Sequence, residues 1–193
     1  MACLTFDDGF NKEAIVKILK CLRENKVQCT FFIVGGYLKK YKDLWIQAIK
    51  DGHEIAYHTM RHTDLNTLTN KKILADIAAW NKTAKEVLGN DYVIPKIARA
   101  KAGHANERVR RLFHSLGYTL IHWSSDSLTG TKDHSPKGIA KFIIRQTKVG
   151  SISLQHFNGM DAPSVNLYIK KLKAKFKLGT ISEALAASAE NTK

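Results

Sequence analysis

Short apolar runs alternate along this chain with stretches of helical periodicity. Ala2 to Phe6 is an apolar run that stops at Asp7-Asp8-Gly9, and it predicts a first strand. Asn11 to Asn25 then carries Ile15, Ile18, Leu19 and Leu22 on one helical face, with lysines and Glu13 largely between them. Cys29 to Val34, closed by Gly35-Gly36, has the composition of a buried strand. Tyr37 to Lys50 returns to helical spacing through Leu38, Tyr41, Leu44, Trp45 and Ala48, and Glu54 to Tyr57 predicts a brief third strand. A longer helix lies within Leu65 to Leu88, with Thr69 or Asn70 as its cap and Gly89-Asn90 as its stop. Strands follow over Tyr92–Ala98, Tyr118–Trp123 and Ser151–Gln155, interleaved with helices over Asn106–Gly117, Ser135–Thr147 and Pro163–Lys175. Lys177 to Ile181 reads as a last strand before an alanine-rich tail.

Strict alternation of this kind predicts parallel strands joined by right-handed crossovers, and both a barrel and an open doubly wound sheet satisfy it. No Gly-x-Gly-x-x-Gly follows the first strand, so the dinucleotide fingerprint is absent. The placement of polar residues says more. Asp7, Asp8, His58, Arg99, Asp126 and His156 all fall at or just beyond predicted strand ends, the face where α/β folds build their sites.

Two adjacent carboxylates forced into one cavity repel, so one needs a cation and the other a basic partner. His58 and His62, four apart, supply the first of these if a helical turn places both imidazoles on one face. A zinc protease would carry Glu after the first His, where this chain has Thr59. The pair therefore needs a third ligand from elsewhere, and an Asp at a strand end is the natural candidate. Two imidazoles and one carboxylate with open positions suit Zn²⁺ or a similar ion that activates water. His53, His104, His114, His122 and His134 match no ligand spacing and read as structural or surface residues.

Composition adds bounds. At 193 residues and 21.7 kDa, with 44% hydrophobic residues, the chain reads as one domain over residues 1–193. Thirty-one Lys and Arg against 17 Asp and Glu give +14, which favours an acidic partner: nucleic acid, anionic lipid or an anionic cell-wall polymer. The local cluster Lys170 to Lys177 reads as a solvated helix face. Cys3, Cys21 and Cys29 sit in apolar contexts and read as free, buried thiols. No run of about 18 apolar residues is present to span a membrane. No signal peptide precedes the first strand, so the expectation is either a cytoplasmic protein or one whose leader was removed.

Thr5-Phe6-Asp7-Asp8-Gly9 and His58-Thr59-Met60-Arg61-His62 resemble the first two motifs of the polysaccharide deacetylases of carbohydrate esterase family 4, the NodB-homology domain. Arg99-Ala100-Lys101-Ala102-Gly103, Trp123-Ser124-Ser125-Asp126 and Leu154-Gln155-His156 follow in that family's order. The resemblance covers nearly the whole chain and implies a distorted parallel (β/α) barrel. It implies further that Asp8, His58 and His62 hold a divalent metal, Zn²⁺ first with Co²⁺ or Ni²⁺ acceptable, while Asp7 is the general base. Arg99 then orients and charge-balances the base, and His156 is the general acid. Leu154 forms part of the pocket for the acetyl methyl, the backbone amide of Ala102 stands where the family uses that of a tyrosine, and Trp123 and Asp126 complete the substrate side. The implied reaction is hydrolysis of N-acetyl groups on an N-acetylglucosamine polymer, peptidoglycan or chitin-like. The family habit implies a secreted, periplasmic or cell-envelope location.

The departures are local. Motif three lacks its usual prolines and tyrosine, which leaves its loop less pre-set. Motif four usually continues to a second Asp and a Trp, and Thr129 and Gly130 stand at those positions. Without a carboxylate partner the imidazolium of His156 is less stabilised, so the sequence predicts an acid-shifted activity limb or weak turnover, unless Asp126 or Asp161 bonds to His156 instead. A deacetylase-like protein that binds metal and sugar with weakened catalysis is the alternative. A polyanion binder acting through charge alone leaves the Asp-Asp and His-x-x-x-His constellation unexplained.

Overall fold

The computed structural model describes residues 1–190. Seven strands alternate with helices: β1 (Cys3–Asp8), α1 (Lys12–Asn25), β2 (Thr30–Ile33), α2 (Gly35–Lys40), α3 (Lys42–Lys50), β3 (Glu54–Tyr57), α4 (Asn70–Leu88) and β4 (Ile97–Ala98) make the first part. The second part is α5 (Glu107–Ser115), β5 (Thr119–Leu120), β6 (Ser125–Asp126), α6 (Pro136–Gln146), β7 (Ile152–His156), α7 (Asp161–Lys175) and α8 (Ile181–Glu190). All strand pairs are parallel, in the order β5-β4-β3-β2-β1-β7-β6.

That order decides between the two architectures the alternation allows. β5 and β6 lie at opposite edges of the sheet, yet only residues 121–124 separate them. Five residue steps reach about 18 Å at full extension, whereas six strand spacings of a flat sheet cover about 29 Å. The sheet must therefore curl, and it forms a half-barrel whose open side is bridged by this segment. Ile121 N–H donates to the Ala98 carbonyl at one edge and Ser124 N–H to the Ile152 carbonyl at the other, both at 2.8 Å.

Curling sorts side chains into an inside and an outside. Leu4, Phe6, Phe31, Ile33, Ile55 and Tyr57 pack outward against the helices, while Cys3, Phe32, Ala56, Ile97, Ile121 and Ile181 form a separate small interior cluster. Strict alternation along β1 puts Thr5 and Asp7 on the same side as Cys3. The register aligns Asp7 with Phe32 on one side and His156 on the other, so the base candidate and the acid candidate face the interior at one level.

Several elements differ from the expected bounds for identifiable reasons. Tyr92–Ala98 contributes only β4, because Pro95 has no N–H to give, and the Tyr92 hydroxyl instead bonds both the N–H and the carbonyl of Ile55. The stretch expected as one helix over 37–50 breaks at Tyr41 into α2 and α3. Leu178 makes a single bridge to Ala2 rather than a strand, and the alanine-rich tail is α8. The N-caps are those the sequence offers: Thr69, Asn106 and Ser135 each accept a backbone N–H of the first turn. The three cysteines are free and buried, and burial pushes the thiols of Cys3 and Cys21 up to about 11.

His53 is structural. Its Nδ1 accepts the Cys29 N–H at 3.1 Å, its ring packs 4.8 Å from that of Phe31, and burial pushes its pKa from 6.5 down to about 4. Between those two values the unfolded chain binds a proton that the folded chain excludes, so stability is full above 6.5 and is lost as pH falls toward 4. We expect a loss of roughly 3 kcal/mol across that window. Denaturant titrations at pH 7 and pH 4.5 check it: His53→Asn, which keeps an acceptor but does not titrate, should show a flatter slope.

Candidate metal and catalytic site

The two carboxylates diverge because the backbone turns between them. Asp7 ends the regular alternation of β1, whereas Asp8 adopts φ 76° and Gly9 φ 83°, left-handed conformations that swing the Asp8 side chain away from the helix layer. Thr59 (φ 64°), His62 (φ 55°) and Ala102 (φ 51°) are also left-handed, and all lie in or beside the same site. Non-glycine residues hold such conformations at a cost of order 1 kcal/mol or more each, and they concentrate where a constellation must be fixed. The helical turn expected for His58 to His62 is absent; the segment is an irregular loop, and the two left-handed residues bring the rings to 5.1 Å between centroids.

Asp8, His58 and His62 present ligand atoms that lie within 4.8 Å of one another. The Oδ1 atom of Asp8 is 3.5 Å from His58 Nε2 and 3.4 Å from His62 Nε2, and it is buried without a hydrogen bond. His58 Nδ1–H donates to the Arg99 carbonyl at 2.8 Å, and because a carbonyl only accepts, Nδ1 carries the proton and Nε2 keeps its lone pair toward Asp8. Burial pushes the Asp8 carboxyl up, but the His58, His62 and His156 imidazoles outweigh it and hold Asp8 below the usual range. Burial pushes the other way on His58, where Asp7 and Asp8 prevail and raise it, whereas on the more exposed His62 burial prevails and lowers it. A buried acceptor with no donor, faced by two imidazole nitrogens, is a donor set that fits a divalent cation with nitrogen and oxygen ligands.

Asp7 belongs to a different partner. Arg99, 1% exposed, donates from Nη1 to Asp7 Oδ1 at 2.7 Å and to Thr5 Oγ1 at 2.8 Å, and from Nε and Nη2 to the Ile121 and His122 carbonyls at 3.2 Å. Its guanidinium lies 4.1 Å over the Phe32 ring. The fork thus ties Asp7 to β1 and to the bridging segment at once, and leaves Asp7 Oδ2 directed to the His58 side at 3.8 Å. Arg99→Lys should destabilise the fold by about 1–3 kcal/mol, since one ammonium cannot reach all four acceptors and three of these bonds, to Asp7, Thr5 and the Ile121 carbonyl, are buried. Urea unfolding of the variant against the parent measures this.

A cavity of about 380 Å³ opens above this pair. Asp7, His58, His62, Ala102, Trp123, Asp126, Leu154 and His156 line it together with Lys101, Leu128 and Thr129, while Arg99 is buried beneath Asp7 and Asp8 lines a neighbouring cavity that shares His62. Eight of the ten candidate site residues therefore line this cavity, and Asp8 and Arg99 contact them directly through His58, His62 and Asp7. Asp126 is occupied locally: Oδ1 accepts the Leu128 N–H and Oδ2 the Thr129 hydroxyl, both at 2.8 Å. Gly130 has no room for a side chain, because a Cβ there would meet Phe142 at 2.1 Å and the Asp126 carbonyl at 2.6 Å. His156 Nδ1 is buried with no partner, and the contact Asp161 makes to this residue is with its backbone N–H. Lys101 was not singled out in the sequence, although it sits inside the third motif; a lone lysine there carries no distinguishing pattern.

A polysaccharide deacetylase family model matches residues 1–121, more than half of the chain. The chain belongs to the polysaccharide deacetylase family. It is 31% identical over 156 residues to a chitooligosaccharide deacetylase of Rhizobium leguminosarum bv. trifolii, covering 79% of this chain and 69% of that protein. It is 28% identical over 190 residues to a peptidoglycan-N-acetylglucosamine deacetylase of Bacillus cereus, covering 94% of this chain and 86% of that one. Among solved structures, the peptidoglycan deacetylase PdaC from Bacillus subtilis superposes with a TM-score of 0.88 at 26% identity, over 100% of this chain and 93% of that chain. The chain spans between 64% and 86% of the length of the first three relatives it matches. The curled parallel sheet with surrounding helices is the fold these deacetylases share.

Proposed function

We propose that this chain is a divalent-metal-dependent hydrolase that removes N-acetyl groups from N-acetylglucosamine-containing polysaccharide, either peptidoglycan or chitin-like. The observation that carries this reading is one cavity lined by Asp7, with its Oδ2 not bonded by Arg99, by His156, and by His58 and His62, which cluster with the Asp8 carboxylate. The names of the relatives point to the same chemistry. A divalent ion held by Asp8, His58 and His62, with Zn²⁺ first and Co²⁺ or Ni²⁺ acceptable, would supply Lewis-acid polarisation of the amide carbonyl and a more acidic water.

The chain's own residues do the rest. Asp7 takes the proton of the attacking water through Oδ2, the oxygen that Arg99 leaves free, while Arg99 fixes the carboxylate's orientation and balances its charge. The backbone amide of Ala102, set by its left-handed turn, donates to the oxygen that gains negative charge. Leu154 receives the acetyl methyl, and Trp123 and Asp126 border the sugar. His156 gives its proton to the departing amine nitrogen, so that acetate and free amine leave. The partner is thus an N-acetylated glycan, with an anionic wall polymer favoured by the +14 charge and nucleic acid disfavoured by the site. A cell-envelope location accords with this substrate; no helix among the described residues is long and apolar enough to cross a membrane.

Acetate release from N-acetylglucosamine oligomers and from N-acetylated peptidoglycan tests the reading. Release from at least one of them by metal-loaded protein is expected, and its absence from both contradicts catalysis. A second reading, a metal- and sugar-binding protein with weakened turnover, is favoured by the unpartnered Nδ1 of His156 and by Thr129 standing where the family has its second carboxylate. Binding of oligomer and metal without acetate release would select it.

A further inference from the structure

A carboxylate that the reading above does not use lies buried against His156. Asp161 opens α7 and is 0% exposed. Its Oδ2 accepts the His156 backbone N–H at 2.9 Å and the Asn158 side-chain amide at 2.8 Å. Asn158 Oδ1 in turn accepts the Met160 and Asp161 N–H groups, so the loop between β7 and α7 is wound tightly around this one carboxylate. Its other oxygen, Oδ1, is buried without a hydrogen bond, as are two atoms near it, the Ser127 hydroxyl oxygen and the Nδ1 atom of His156. Burial raises the Asp161 pKa against the opposing pull of the His156 backbone N–H, the Ser127 hydroxyl and the His156 charge.

A carboxylate oxygen accepts two hydrogen bonds, so Oδ1 has room for the Ser127 hydroxyl and for the imidazole nitrogen that lacks a partner. Oδ2 holds the His156 backbone N–H at 2.9 Å, which anchors the carboxylate to the residue whose ring nitrogen lacks a partner; rotation of the carboxylate and of the imidazole about χ2 is the movement the pairing requires. Asp126 is not free to do this, being engaged by Leu128 and Thr129, and Thr129 offers only a hydroxyl. We propose that Asp161 is the positioning residue for His156: its Oδ1 accepts the ring Nδ1–H, which turns Nε2 and its proton toward the cavity. On donation, the Nε2–H bond breaks, an N–H bond forms on the departing amine, and the neutral imidazole remains in its Nδ1–H form. The proposal rests on the reading of His156 as general acid, and it puts the replacement for the missing motif-four carboxylate on the helix after β7.

The tautomer of neutral His156, read by ¹⁵N NMR on the full chain without metal or substrate, tests it. The Nδ1–H form is expected in the parent and the Nε2–H form in Asp161→Asn, whose amide donates to Nδ1. An Nε2–H parent, or an unchanged tautomer in the variant, overturns the proposal. In the acetate assay Asp161→Asn should lower kcat by about 10²–10⁴-fold with KM little changed, the pattern of a wrongly set tautomer. Parent-like kcat overturns the proposal too. If Asp161→Asn does not fold, the parent's tautomer alone decides. If the parent releases no acetate at all, the deacetylase reading fails while the tautomer still decides the role of Asp161.

Discussion

Asp7→Asn is expected to cut acetate release by about 10²–10⁴-fold while leaving metal uptake unchanged. The substitution keeps the shape of the side chain and an oxygen for Arg99, but a carboxamide does not accept the proton of the attacking water. The proposed Asp8, His58 and His62 ligand set is untouched, so the bound metal should stay at the parent's level. The cost to the fold comes from Arg99, which keeps Thr5 and the Ile121 and His122 carbonyls but loses its anionic partner at 2.7 Å. Breaking a buried pair from one side costs about 3–5 kcal/mol, so circular dichroism and a melting curve must accompany the assay. A folded, metal-loaded variant with full activity would sink the assignment of Asp7 as base.

Metal removal is the second large effect. Stripped protein should release no acetate and should recover on addition of Zn²⁺, Co²⁺ or Ni²⁺. His58→Ala should weaken metal affinity by more than about 100-fold, since even outer partners of metal ligands are worth 10–100-fold. Of the three proposed ligands, His58 has its ring fixed from behind, by the Arg99 carbonyl, so its loss also frees that buried acceptor. Stability reports on the same event independently of turnover. At a metal concentration 100 times Kd the parent should gain about 2.7 kcal/mol, visible as a higher Tm, and His58→Ala should gain little.

The sequence made the helices and the site residues legible for different reasons. Helices such as α1 and α4 bury a regular face, and their caps at Asn11 and Thr69 are local signals that tertiary context did not override. β4 and β5 were overestimated because apolar composition marks burial and not ladder length; two residues of each pair, and Tyr92 takes part of the edge with its hydroxyl. Barrel against open sheet was undecided by alternation, and only the sheet order, with β5 and β6 at opposite edges and four residues apart, requires the curl. That His58 and His62 called for an Asp at a strand end was legible from residue types, and Asp8 in particular from the family resemblance, but the left-handed turns at Asp8, Thr59 and His62 that bring the three together were not, because none of these residues advertises positive φ as glycine does. Asp161 entered the sequence reading only as a conditional partner of His156, since nothing in its surroundings marks a buried carboxylate before the fold places it.

The central claim is that one divalent ion at Asp8, His58 and His62 enables Asp7 to drive amide hydrolysis. Titrating Zn²⁺ into stripped protein while following acetate release from an N-acetylglucosamine oligomer tests it most directly. Activity should start at zero, climb with each increment and level off at about one equivalent of metal per chain. Acetate release that does not depend on metal, or one equivalent bound with no release, would contradict the account.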